Sequence, residues 1–355
     1  MNMKYKLVLE NGREFVGINF GSNEPKIGEI FFSTSMVGYQ DILSDPSYYG
    51  KIACMTYPLI GNYGLTDEDY DFKNIHIRGY VVKEYNDLPS NFRATRTLND
   101  AMEENKVIGL SDVDTREIAK IIRDEGMMKA MIVEEKKSLK SCLRELKEYQ
   151  EKENLIEEVS CKKIWYSRTN NPLYTVVVID LGVKTTLVKK LNEYGLNVII
   201  VPYNTSIEQI KKLKPNGVLI SNGPGNPNNQ EELFKLIKGL IKNKYPILAL
   251  GLGAQIIASY YGAKLTKMKH GHQGANLPVR NLETGKIEIT SQNHFYEINL
   301  EDVKNLKVTH LNVIDNDVEQ FIDEKNKIIA SQLHVIDTLN DDENIIQNFI
   351  INMKK

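Results

Sequence analysis

The stretch Tyr245–Ala263, YPILALGLGAQIIASYYGA, limits what this chain can fold into more than any other. An apolar run from Pro246 to Leu250 meets Gly251-Leu252-Gly253, continues with Ile256, Ile257 and Tyr260 at helical spacing, and stops at Gly262. Strand, tight glycine turn and helix in that order form the elbow that lifts a nucleophile above a parallel sheet. The apex, where Ser or Cys is expected, is Gly251. The stretch carries no charge after Tyr245, but the glycine turn and Gln255 split it, and a membrane-spanning helix needs about 20 predominantly apolar residues.

The surrounding sequence supports a parallel sheet. From Tyr174 onward strands and helices alternate: TVVVID, a helix over Lys184 to Tyr194, LNVIIVP, a helix over Ser206 to Leu213, GVLIS, and a helix over Glu231 to Lys242. Continuous rather than alternating apolar strands, separated by helices, indicate a doubly wound α/β domain over residues 173–355. Ligands of such sheets sit beyond the carboxyl ends of the strands. The loops at Asp180-Leu181-Gly182, Asn222 to Pro227 and Gly251 to Gly253 are therefore expected to converge.

Residues 1–150 read as a β-rich α+β domain. Strands are expected at Tyr5 to Leu9, Phe15 to Phe20, Ile30 to Ser33, Ile52 to Thr56 and Ile75 to Val82, with Asn11-Gly12 as a tight hairpin. Helices follow over Thr97 to Lys106 and over Asp114 to Gly126, capped by Asp112 or Asp114. A charged amphipathic helix from Leu139 to Tyr149 precedes residues 151–172, read as a connection. Its lysines are interleaved with glutamates and the net charge is -2, so neither a nucleic-acid footprint nor a polybasic membrane segment is expected. Three scattered cysteines without Cys-x-x-Cys spacing, and a charged N-terminus, indicate a cytoplasmic chain without disulfides.

Gly223 and Gly225 expose backbone N–H groups at the expected sheet edge. They suit an anion or an oxyanion, or simply a tight turn. His270-Gly271-His272 is half of a metal-ligand spacing without neighbouring acids, read as a loop, and no metal is expected. Ser291 to His294 reads as a polar turn after a strand from Lys286 to Thr290, and His334 follows a strand from Lys327 to Leu333. A nucleophile and base pair needs Ser, Thr or Cys beside an imidazole, and the elbow supplies none.

Longer segments carry a resemblance over nearly the whole chain. GEIFFSTSMVGYQDILSDPSYYGKI from Gly28, TYPLIGNYG from Thr56, SNFRATRTL from Ser90, SDVDTREIAKIIRDEG from Ser111, SNGPGNP from Ser221 and GAKLTKMKHGHQGANLPV from Gly262 resemble the small, glutamine amidotransferase subunits of carbamoyl-phosphate synthetases. The resemblance implies a class I glutamine amidotransferase fold for the second domain. It also implies a large-chain partner that uses ATP and Mg to make carbamoyl phosphate for arginine and pyrimidine synthesis, with no cofactor in this chain. Position by position, it implies glutamine contacts at Ser47, Gly223, Gly225, Leu252, Gln255 and Asn293, and a catalytic base at His334.

Departures fall where bonds are made. Gly251 occupies the position of the nucleophilic Cys, and Ile336 that of the Glu that orients the base; Asp337 is one residue too far along to replace it simply. Ala249 and Ala254 replace a Gly and a His beside the nucleophile, and Phe295-Tyr296 replaces a Gly-Phe pair. An acyl-enzyme cannot form without a nucleophile. The expectation is a small subunit whose own glutamine hydrolysis is lost. An active chain with an unusual site, and a non-catalytic glutamine-binding subunit, are the alternatives.

Overall fold

In the computed structural model, which describes residues 4–66, 74–334 and 345–354, the chain divides into two units, Met1–Lys152 and Glu153–Lys355. The first begins with an antiparallel hairpin of β1 (Lys4–Leu9) and β2 (Glu14–Gly21). Gly12 takes φ 88° and its N–H donates to the Leu9 carbonyl at 2.9 Å. Asn11 does not adopt positive φ; its side-chain oxygen instead accepts the Arg13 N–H at 3.0 Å. Next come β3 (Lys26–Ser33), α1 (Tyr39–Ser44), β4 (Ile52–Met55), β5 (Leu59–Ile60), β6 (Gly79–Val81) and β7 (Glu84–Tyr85). The unit continues through α2 (Leu98–Glu104), β8 (Ile108–Ser111), α3 (Thr115–Glu125), β9 (Met128–Glu134) and α4 (Leu139–Glu148).

Strands β1, β2, β8, β6, β4, β3 and β9 close into a barrel in that order. β8 and β9, short apolar runs with no turn signal of their own, are what closes it, and closure leaves no edge open to aggregation. Leu7, Ile30, Ile52, Val81, Leu110 and Ile132 are buried together with Ile118 and Ile122 of α3. The Asp114 side chain caps α3 by accepting the Glu117 N–H at 3.0 Å.

The second unit holds α5 (Ile156–Val159), β10 (Trp165–Ser167), β11 (Tyr174–Asp180), α6 (Thr185–Glu193), β12 (Leu196–Pro202), α7 (Ile207–Leu213) and β13 (Gly217–Ile220). It continues with α8 (Glu231–Lys242), β14 (Ile247–Leu250), α9 (Leu252–Tyr260), β15 (Lys264–Asn281), β16 (Ile287–Asn299), β17 (Lys307–Asn312), β18 (Val318–Asp323), β19 (Ile328–Ser331) and α10 (Ile345–Lys354). One 10-stranded sheet runs β10-β12-β11-β13-β14-β19-β18-β17-β15-β16. Strands β12, β11, β13, β14 and β19 are mutually parallel. Alternate residues of β11 serve both faces: Val177 and Ile179 pack with α7, α8 and α9, and Val176 and Val178 with α6 and α10. Burial on both sides is why these strands read as unbroken apolar runs.

Three local expectations need correction. Residues 151–172 are not merely a connection: Ile156 and Val159 are buried, and β10 pairs antiparallel with β12, Tyr166 opposite Ile199. His270 and His272 lie in strand β15 rather than a loop, and Ser291 to His294 lie inside β16 rather than in a turn after it. Register shifts between Lys267 and His272, and again between Gly274 and Leu277, break the period-2 pattern that marks a strand. Among the described residues, no helix is long and apolar enough to cross a membrane.

Candidate functional site

The elbow is built as the sequence implies. β14 is buried throughout and lies between β13 and β19, with Leu250 beside Ser331. At the next residue the chain turns: Gly251 has φ 51° and ψ -117°, its N–H donates to the Ser331 carbonyl at 2.8 Å, and its carbonyl accepts the Gln255 N–H at 3.1 Å. A side chain in that conformation is strained, whereas glycine is not. A Cβ at Gly251 would also stand 3.0 Å from the Asn222 Cβ. Two residues on, a Cβ at Gly253 would lie 2.5 Å from the Ile220 carbonyl oxygen, so this glycine lets α9 seat against β13.

The three glycine loops converge. Strand β12 lies on one side of β11 and β13 on the other, so the order in which parallel strands are added reverses between β11 and β13, the crevice where open α/β sheets bind ligands. Asp180 Oδ1 accepts the N–H groups of Gly182 and Val183 at 2.9 and 2.8 Å and its Oδ2 accepts that of Cys161 at 2.8 Å. Ser221 Oγ accepts the Leu181 N–H at 3.0 Å. A Cβ on Gly223 would fall 2.0 Å from the Leu181 carbonyl oxygen, so only glycine allows this approach. Gly225 takes φ +109°.

The remaining candidates distribute as follows. His334 comes just after β19, adjacent to the elbow strand, and its N–H donates to the Ser291 carbonyl at 2.9 Å. Ile336 and Asp337 lie outside the described residues. Leu252 is buried at the start of α9. Gln255 is buried and turned inward, donating to Gln332 Oε1 at 2.7 Å and to the Tyr296 carbonyl at 3.5 Å. Asn293 pairs across the sheet with Gln273, and Phe295 is buried with its ring 3.0 Å from where a Cβ on Gly271 would stand. Ser47 belongs to the other unit, in the one-turn helix Pro46–Tyr48, where its N–H donates to Asp45 Oδ1 at 2.8 Å.

A second grouping was hidden from the sequence. His272 of β15, His294 of β16 and Asp317 and Glu319 at β18 bring one ligand-type atom each within 4.8 Å of one another, and all four are buried. His272 Nε2 is 2.8 Å from Asp315 Oδ2, and His294 Nδ1 is 3.1 Å from the Tyr296 carbonyl. Burial pulls the His272 imidazole down, but the Asp315 and Glu319 carboxylates outweigh it and raise it to about 9. Burial pushes Glu319 up, yet His294 and His272 overcome that and hold it well below the usual range. Asp317, chiefly desolvated, is raised to about 6. The absence of acids near His272 in the sequence misleads, because strand pairing supplies them from more than forty residues downstream.

Comparison with known proteins accounts for both units. The family described as carbamoyl-phosphate synthase small chain, CPSase domain, matches residues 7–132, and glutamine amidotransferase class-I matches residues 177–353. A carbamoyl phosphate synthase small chain of Fusobacterium nucleatum is 40% identical over 331 residues, 93% of this chain and 92% of its own length. One from Aquifex aeolicus is 41% identical, covering 92% of each chain. A pyrimidine-specific small chain of Bacillus subtilis is 40% identical over 89% of this chain and 86% of its own length.

Proposed function

Because the chain belongs to the family of carbamoyl phosphate synthase small chains, we propose that it serves a synthase as a small subunit that does not hydrolyse glutamine itself. Gly251 carries this reading. Attack on a carboxamide carbon needs an electron pair on a side chain at the elbow apex, and the imidazole of His334 needs a proton there to take. Glycine offers neither. Cys161 is the one cysteine of residues 153–355; burial first, then Asp180, push its thiol up to about 12, far from the thiolate a substitute nucleophile would require. Ile336 replaces the carboxylate expected to orient the base, and Phe295 fills space where the family pattern has glycine.

In this reading residues 1–150 dock on a large chain, which makes carbamoyl phosphate from bicarbonate and free ammonia using ATP and Mg in the cytoplasm, for arginine and pyrimidine synthesis. Co-expression tests the docking: the two chains should co-purify, and the large chain should be more active with ammonia in the complex than alone. Failure to co-purify, or equal activity alone, overturns it. The convergence of Gly223 with the Leu181 loop favours a second reading, glutamine binding without cleavage. Calorimetry on the complex decides it, since no heat of glutamine binding removes that reading.

A further inference from the structure

We propose that His272 Nδ1, His294 Nε2 and Glu319 Oε1 form a site for one divalent transition-metal ion of the zinc class. The three atoms make a nearly equilateral triangle: 3.3 Å between the two nitrogens, and 3.4 and 3.5 Å from these to the carboxylate oxygen. Ligands at tetrahedral angles around an ion about 2.1 Å away stand about 3.4 Å apart, and two His with one carboxylate is an established zinc set.

The surrounding hydrogen bonds leave these atoms electron-rich. His272 Nε2 faces Asp315 Oδ2 at 2.8 Å, and His294 Nδ1 faces the Tyr296 carbonyl, which can only accept, at 3.1 Å. Outer partners of this kind, a carboxylate on one His and a backbone carbonyl on the other, fix the tautomers of metal-binding histidines. With the far nitrogens donating, both near nitrogens of the neutral rings point lone pairs at each other and at a carboxylate. The Asn312 amide reaches two of these atoms only at 3.3 and 3.4 Å and offers nothing between the two facing nitrogens, so the group favours a cation at its centre, a proton or a metal ion.

Two independent observations favour the metal. Glu319 is fully buried, and its Oε2 accepts no hydrogen bond among the described residues. An ion held at Oε1 is within reach of Oε2 as well, so a carboxylate bound through both oxygens leaves neither without a partner, whereas a proton on a neighbouring ring serves only one of them. A cavity of about 410 Å³, lined by Glu297, Glu301, Asp315 and Asp317 among others, adjoins the cluster and gives a cation an acidic approach. Beside the triangle, Asn312 Nδ2 lies 3.4 Å from His272 Nδ1 and 3.3 Å from Glu319 Oε1, while its Oδ1 is held by the Ile314 N–H at 2.9 Å. The ion therefore acts as a clamp joining β15, β16 and β18. It is one carbonyl removed from the elbow helix, because the Tyr296 carbonyl also accepts from Gln255.

The test uses the full chain, stripped with a chelator and titrated with cobalt(II) and with zinc. The expected result is one equivalent of metal, a cobalt spectrum of tetrahedral type displaced by zinc, and a higher thermal midpoint with zinc bound. Glu319→Gln should abolish the cobalt spectrum while the far-ultraviolet circular dichroism is retained. Asp315→Asn removes an outer partner whose side chain is 40% exposed, so the chain stays folded, and it should weaken binding about 10–100-fold. If Glu319→Gln does not fold, Asp315→Asn alone carries the test. No stoichiometric metal on the wild-type chain, or wild-type affinity in Asp315→Asn, overturns the proposal and leaves a proton as the cation.

Discussion

Putting a cysteine back at the elbow should not restore an enzyme, and it should make the second unit less stable. Gly251 sits at φ 51° and ψ -117°, where a side chain costs about 1–3 kcal/mol of backbone strain. In Gly251→Cys the new Cβ would stand 3.0 Å from the Asn222 Cβ and 3.4 Å from its Cα, inside the ordinary carbon contact of about 3.5–4.0 Å. Asn222 must yield by a few tenths of an ångström, so crowding adds to the strain. At about 2–4 °C per kcal/mol for a unit of this size, the strain alone should lower the thermal midpoint by roughly 2–12 °C. Gly251→Ala should fall equally, because the effect comes from Cβ and not from sulfur. Differential scanning calorimetry measures the midpoint, and ammonia release from glutamine measures activity. With Ile336 where the family resemblance implies the orienting Glu, and Phe295 where it implies a glycine, Gly251→Cys should release no ammonia above the parent. Adding Ile336→Glu should recover little until Phe295→Gly is also present. An unchanged or raised midpoint would refute the strain argument, and ammonia release by the single variant would refute the claim of a dismantled site.

Other perturbations read different parts of the fold. Gly253→Ala drives a methyl to 2.5 Å from the Ile220 carbonyl oxygen; urea unfolding should show a loss of about 1–3 kcal/mol, even though Ala is the better helix former. Gln255→Ala leaves buried Gln332 without its 2.7 Å donor, so unfolding should report a loss of about 1–3 kcal/mol while ammonia-dependent synthesis by the complex is unchanged. His76 in the first unit is held down to about 4 by burial, with Asp45 opposing. Its depressed value means that the unfolded chain takes up the proton first, below about pH 6.5. The associated stability is complete above that pH and declines as the pH drops towards 4, by up to about 3 kcal/mol. Denaturant titrations across this range should show the decline, flattened in His76→Gln.

How much of this was readable beforehand depended on how local each signal was. The cap at Asp114, the Gly12 turn and the buried strands TVVVID and LNVIIVP are set by neighbours within a few residues, and the structure has them all. Convergence of the glycine loops followed from the parallel sheet alone, as the approach of Gly223 to Leu181 shows. β15 and β16 were not readable as long strands, because bulges and partial exposure leave no alternation in KLTKMKHGHQGANLPVRN. The His272, His294 and Glu319 cluster is a product of strand pairing, joining residues from three strands whose order in the sheet is not their order in the chain. Gln255 shows the limit of carrying a role over by position. Its place in the elbow helix is as expected, but the fold turns its amide inward to Gln332.

Glutamine nitrogen should not enter carbamoyl phosphate through this chain. This is tested most directly by supplying the purified complex of small and large chains with amide-labelled glutamine in one reaction and labelled ammonium in another, and measuring label in carbamoyl phosphate. Label should enter from ammonium and not from glutamine above the level given by the large chain alone. Label from glutamine at a rate matching synthesis would contradict this, and would mean that a chain with glycine at its elbow still delivers the amide nitrogen.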